Sequence, residues 1–213
     1  MNAFIAKWMF VPICALVMSV PARGNVLTNG SFESGLTGWT FTGNVLLRTT
    51  SDFPATDGQN MINFNGAQQA PNGTLSQIFP TVPGQKYSIA FDFGNWGNGN
   101  PVTQGLRVTL QGTTLLDQRD VIDSTINGSQ SAAAVYNPFS YNFLADSGFT
   151  TLTFKDIAQG TDSSDGLLDN VRINASPAPL PSSVYAASAI LFGIFCTKGL
   201  KTLIANRSTV LAS

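Results

Sequence analysis

Trp96 stands in the run Gly94-Asn95-Trp96-Gly97-Asn98-Gly99-Asn100-Pro101. A flat aromatic ring stacks on the flat face of a sugar, and side-chain amides offer donors and acceptors to hydroxyl groups. The glycines and asparagines read as a loop, which makes Trp96, Asn95 and Asn98 candidate ligand-binding residues. Packing of the ring within its own loop is the competing reading. Tyr136 is a further candidate on the same chemistry. Trp39 follows the turn at Gly38 into a strand and reads as core, as does Tyr141, which alternates with Phe139 and Phe143.

Catalytic chemistry has little to work with. The chain contains no histidine, and its two cysteines, Cys14 and Cys196, fall in terminal apolar segments. A Ser-His-Asp or Cys-His arrangement is therefore excluded. Paired carboxylates are the remaining route, because a glycosidase needs one on each side of a scissile bond. Glu33 is the only glutamate, while Asp162, Asp165 and Asp169 cluster late in the chain. Residues 160–166 have the composition of a solvated turn, which argues against a paired catalytic site there, and no enzyme is expected.

Charge narrows the partners. The 213 residues carry 11 basic and 12 acidic side chains, and every acid lies between Glu33 and Asp169. Residues 25–174 hold six basic residues against those twelve acids, a net charge of −6. An acidic body disfavours nucleic acid, whose affinity rests on phosphate neutralisation. Neutral sugars and divalent cations remain suitable partners. With no cysteine in the body, neither a disulfide framework nor a thiolate metal site is available.

Both ends read as addresses. Lys7, the apolar run over residues 8–20 and Ala22-Arg23-Gly24 have the order of a secretory signal, residues 1–24, cleaved before Asn25. An uncleaved anchor is the alternative, though the run is short for a bilayer span of about 20 residues. At the other end a proline-rich linker, residues 175–183, contains Ala178-Pro179-Leu180-Pro181. Residues 184–213 follow, apolar to Cys196 and then basic at Lys198, Lys201 and Arg207. This is a stop-transfer order, and it resembles the PEP-CTERM class of sorting tails in a Pro-Leu-Pro variant. That resemblance implies an exosortase-like sorting enzyme as partner and a membrane-held stage before processing; a plain C-terminal membrane anchor is the alternative.

Between the ends, apolar residues alternate. Tyr87, Ile89, Phe91 and Phe93 share one face of a run whose other face carries Ser88, Ala90 and Asp92. Leu106, Val108 and Leu110 repeat the pattern, followed by Phe139, Tyr141 and Phe143, then Leu152 and Phe154, then Val171 and Ile173. Period-two runs punctuated by Gly, Pro and Asn predict one all-β domain over residues 25–174, an antiparallel β-sandwich. Val82-Pro83-Gly84-Gln85 predicts a type II turn ahead of Tyr87.

Asn25-Val-Leu-Thr-Asn-Gly-Ser-Phe-Glu33 and Gly38-Trp39 resemble the opening of the galactose-binding-domain-like jelly rolls, which include many carbohydrate-binding modules. Asp57-Gly58 with Ile62-Asn63-Phe64 is similar to their next turn and strand. Thr74-Leu-Ser-Gln77 through Tyr87 to Asp92 is similar to their central hairpin, and Leu168-Asp169-Asn170-Val171 to their closing strand. The resemblance spans about 150 residues in the correct order, and it implies a jelly roll with carbohydrate-binding character. It also implies a structural calcium ion where first and last strands meet, with Glu33 and Asp169 as its carboxylate ligands. The expectation is an exported, non-catalytic, carbohydrate-binding protein of the cell surface or extracellular space. The alternative is a structural or adhesive component of the extracellular matrix or envelope with no discrete sugar site.

Overall fold

The computed structural model describes residues 24–97, 103–123, 134–160 and 164–177. The predicted signal segment up to residue 23, the linker and tail from residue 178, Asn98 and Asp162 lie outside them.

Among the described residues ten strands follow in chain order: β1 Thr40–Thr42, β2 Val45–Thr49, β3 Asn60–Phe64, β4 Thr74–Pro80, β5 Lys86–Gly97, β6 Gln104–Gln111, β7 Leu115–Asp123, β8 Val135–Leu144, β9 Phe149–Asp156 and β10 Ser164–Ala175. They form two five-stranded sheets, β1-β4-β9-β6-β7 and β2-β3-β10-β5-β8. Every pairing is antiparallel. A single 3₁₀ turn, Gly66–Gln68, follows β3. The described residues thus form the expected all-β jelly-roll sandwich.

The alternation in the sequence sets the layers. Tyr87, Ile89, Phe91 and Phe93 all point between the sheets and are buried, as are Leu106, Val108, Leu110, Leu152, Phe154, Val171 and Ile173. Each large side chain removed from water contributes about 1.5–3 kcal/mol, so this shared face is what holds the sheets together. Phe91 stands at the centre, stacked on Phe139 at 5.5 Å and edge-on to Phe154 at 5.2 Å. Trp39 is buried as predicted, against Phe32 and Phe154, and its ring N–H donates to the Asn29 carbonyl at 3.0 Å. Phe32 sits fully buried with φ 59°, a left-handed conformation rare for an aromatic residue. Its burial and the bond from Gly35 N–H to its carbonyl at 2.9 Å offset that cost.

One expectation is corrected. The turn at residues 82–85 forms, with Gly84 at φ 77° and Gln85 N–H donating to the Val82 carbonyl at 3.0 Å. It does not close a hairpin, because β4 and β5 lie in opposite sheets. Each needs its own partners to satisfy its backbone: β4 takes β9, whereas β5 is flanked by β10 and β8. The turn therefore carries the chain across the sandwich. The first and last described segments do meet as expected, since Val26 N–H donates to Ile173 O and Val171 N–H to Gly30 O.

Candidate binding face

The outward side of the second sheet carries the candidate site. Strand register places Leu46, Asn63, Leu167, Gly94 and Tyr136 in one row across all five strands. Trp96 lies two residues beyond Gly94 on the same face, directly opposite Asp165. Its expected loop is corrected to strand: the β5 ladder runs on through Asn95, Trp96 and Gly97. Gly94, one of the glycines that suggested a loop, serves close packing instead, since a Cβ there would collide with the Val135 carbonyl on β8.

This strand placement separates the candidates. Trp96 faces outward and is half-buried, whereas Asn95 faces inward and is 2% exposed. The Ser164 hydroxyl donates to Asn95 Oδ1 at 2.7 Å. Nearby, Gln104 donates to the Gly160 and Ser164 carbonyls and accepts from Asn65 Nδ2 at 2.7 Å. Asn95 thus belongs to a buried polar network that fixes the start of β10, beneath Trp96 rather than beside it. Tyr136 is half-buried on the outward face, and its hydroxyl donates to the Pro54 carbonyl at 2.9 Å. Burial, then the charges of Asp169 and Asp92, raise its phenol above the ordinary range.

Three residues not expected from the sequence to bind ligand complete the face. Asn63 is fully buried, yet neither its Nδ2 nor its Oδ1 has a hydrogen-bond partner, and the same holds for the buried Arg48 Nε. Unpartnered buried polar atoms cost about 1–3 kcal/mol each, so this corner of the face calls for an explanation. Gly66 backs this corner, where a Cβ would strike Asn63 Oδ1 and the Leu46 side chain. Asp165, predicted to lie in a solvated turn, is instead part of β10. Burial raises its carboxyl pKa; the Asn63 amide and the Arg48 charge act against that shift. Asn63 approaches Asp165 closely enough to favour its charged form without making a hydrogen bond of good geometry. An outward-facing amide within the otherwise apolar run Met61-Ile62-Asn63-Phe64 was the available signal.

One loop walls the face. Residues 50–59 join β2 to β3, and the loop base is closed by Thr50 N–H donating to Gln59 O at 2.8 Å. Phe53 meets Trp96 edge-on at 5.2 Å and 61°. The two carboxylates expected to share calcium both hold this loop. Asp169, fully buried, accepts through Oδ2 from Thr56 N–H at 2.7 Å, Thr56 Oγ1 at 3.1 Å and Asp57 N–H at 2.9 Å. Glu33 accepts through Oε1 from the amides of Gln59 at 2.8 Å and Asn60 at 2.7 Å. Burial raises the Asp169 pKa against the pull of these amides. Among the described residues no group of three or more acidic, histidine or cysteine side chains gathers. The donors are oxygens of the kind calcium takes, but backbone carbonyls would have to supply most of the six to eight ligands.

A hydrolytic pair is not assembled on β10. Asp165 and Asp169 are four residues apart on one strand, about 13 Å, beyond the roughly 5–10 Å that separates glycosidase carboxylates.

Comparison with known proteins follows this geometry. The profile of the family described as "Carbohydrate binding domain" matches residues 24–154, more than half of the chain. No curated protein matches. Among solved structures, TmCBM61 in complex with β-1,4-galactotriose is 17% identical, with a TM-score of 0.51 over 71% of this chain and 99% of that one. The CBM22-1 xylan-binding domain of Paenibacillus barcinonensis Xyn10C is 18% identical, with a TM-score of 0.46 over 74% of this chain and 99% of that one. The chain belongs to the carbohydrate-binding domain family, whose members bind rather than cleave.

Proposed function

We propose that the outward face of the second sheet binds a neutral polysaccharide or glycan. Trp96 supplies the stacking platform, and Asn63, Arg48 and the Tyr136 hydroxyl supply polar contacts. The observation that carries this reading is Asn63, fully buried beside Arg48 with both side-chain polar atoms unpartnered. Asn63 has no exposed surface, so a sugar reaches it by displacing a covering side chain; a hydroxyl, which donates and accepts at once, then satisfies both of its functions. Arg48 and Asp165 offset one another in charge, which suits a neutral sugar better than a charged one. The family match supports the same ligand class.

The test is calorimetry with the purified protein and the glycans it retains on an array. Trp96→Ala should cost about 1–3 kcal/mol, a five- to 150-fold loss, with little change in melting temperature. Retention of no glycan, or unchanged affinity in Trp96→Ala, overturns the reading.

The matrix or adhesive reading draws on a different surface. Ile78 and Phe149 are 67% and 65% exposed. They lie on adjoining positions of paired strands in the first sheet, together with Pro80. Self-association that disappears on Ile78→Ser/Phe149→Ser, with no glycan retained, would favour it.

Export, tail processing and a calcium ion, the last resting on the motif positions of Glu33 and Asp169, are further parts of the proposal. The order of charge and apolar residues at the two ends supports the first two.

A further inference from the structure

The loop of residues 50–59 touches the binding face at one end and two carboxylates at the other. Phe53 lies against Trp96, and Pro54 accepts from Tyr136. Two to three residues further on, Asp169 holds Thr56 and Asp57; beyond that, Glu33 holds Gln59 and Asn60. Asp169 and Glu33 come from opposite ends of the domain sequence, yet both spend their charge on the backbone amides of this one loop.

We propose that Asp169 and Glu33 are positioning residues of the carbohydrate site, clamping residues 56–60 so that Phe53 and Pro54 stay against Trp96 and Tyr136. This rests on the reading of that face as the sugar site. An amide held by a carboxylate is a charge-assisted hydrogen bond, stronger than the neutral bonds at the loop base. Without the clamp the loop samples positions in which Phe53 no longer walls the platform. Apparent affinity then falls in proportion to the fraction that remains closed. A loop closed one-tenth of the time binds tenfold more weakly, although no residue touching the sugar has changed.

The experiment uses the full chain in chelator-containing buffer, so that no bound ion contributes, and compares Glu33→Ala, Glu33→Gln and Asp169→Asn with wild type. Amide hydrogen exchange over residues 53–57 needs no ligand. It should accelerate at least tenfold in Glu33→Ala and Asp169→Asn. Titration with β-1,4-galactotriose and with xylohexaose, well below the melting temperature, should show a five- to tenfold loss in the same variants. Glu33→Gln keeps an acceptor oxygen for the two amides and should stay within about twofold of wild type, whereas Asp169 accepts through both oxygens, so Asp169→Asn sets an NH2 against a backbone N–H. Unchanged exchange in Glu33→Ala, or equal losses in the Ala and Gln variants, overturns the clamp. If Asp169→Asn does not fold, the exposed Glu33 pair decides. If wild type takes neither sugar, the functional reading fails separately, and exchange alone decides whether the loop is clamped.

Discussion

Asn63→Val should raise stability while weakening binding. Asn63 is fully buried on the outward face of β3, with Nδ2 and Oδ1 both unpartnered in the free protein. Its amide was stripped of water on folding, and only the approach to Asp165 compensates it, a net cost of about 1–3 kcal/mol. Valine has a similar volume, needs no partner and favours a strand. Part of the gain is cancelled, because the amide also helps Asp165 to stay charged. A net gain of about 1 kcal/mol corresponds to about 2–4 °C in melting temperature for a domain of this size. The same substitution removes both functions offered to the sugar, so affinity should fall more than tenfold. Differential scanning calorimetry and glycan titration on the same preparation read both quantities. A lowered melting temperature would show that the amide is satisfied as a structural group, and the reasoning would fail even if binding were lost.

Trp39→Ala should cost about 3–5 kcal/mol, because it empties the contact between Phe32 and Phe154 and removes one of the two donors to the Asn29 carbonyl; chemical denaturation reads it, and a loss below 1 kcal/mol would place Trp39 outside the core. Asp156, Asp165 and Asp169 all have raised pKa values, chiefly from burial. The folded state then holds more protons than the unfolded chain between the ordinary carboxylate pKa and the raised one, so stability rises as pH falls through that window. Melting temperature should therefore hold or climb from pH 7 to about pH 5, and a steady fall over that range would contradict the burial of these acids. A calcium ion at Glu33 and Asp169 would add about 2.7 kcal/mol at a hundredfold excess over Kd, lost on chelation and absent in Asp169→Ala; overlaid melting curves would end that proposal.

Much of the core was readable because a strand's period is two and the inner face is continuous. Tyr87, Ile89, Phe91 and Phe93 declare a buried side without reference to any partner. Sheet membership was less accessible, as the turn at residues 82–85 shows: the same Pro-Gly signal serves a hairpin or a crossing, and the choice depends on which distant strand completes each ladder. Trp96 was singled out for its chemistry, but its neighbours were chosen along the chain. Adjacent residues of a strand point to opposite faces, so Asn95 went inward, while the true neighbours, Asn63 and Asp165, came from β3 and β10. Phe53 reaches Trp96 only because the loop folds over the sheet, and no local pattern announces that.

The last strand of the domain occupies the middle of its sheet. β10 lies between β3 and β5 and brings Asp165, Leu167 and Asp169 to the binding face. During synthesis, β3 and β5 therefore wait with open edges until more than 160 residues have been made, and unpaired edges of that kind invite association with other chains. A contact pattern so dominated by distant partners also folds slowly. Until that one segment arrives, the row beside Trp96 lacks Asp165 and Leu167, so the outward face of the sheet is completed last.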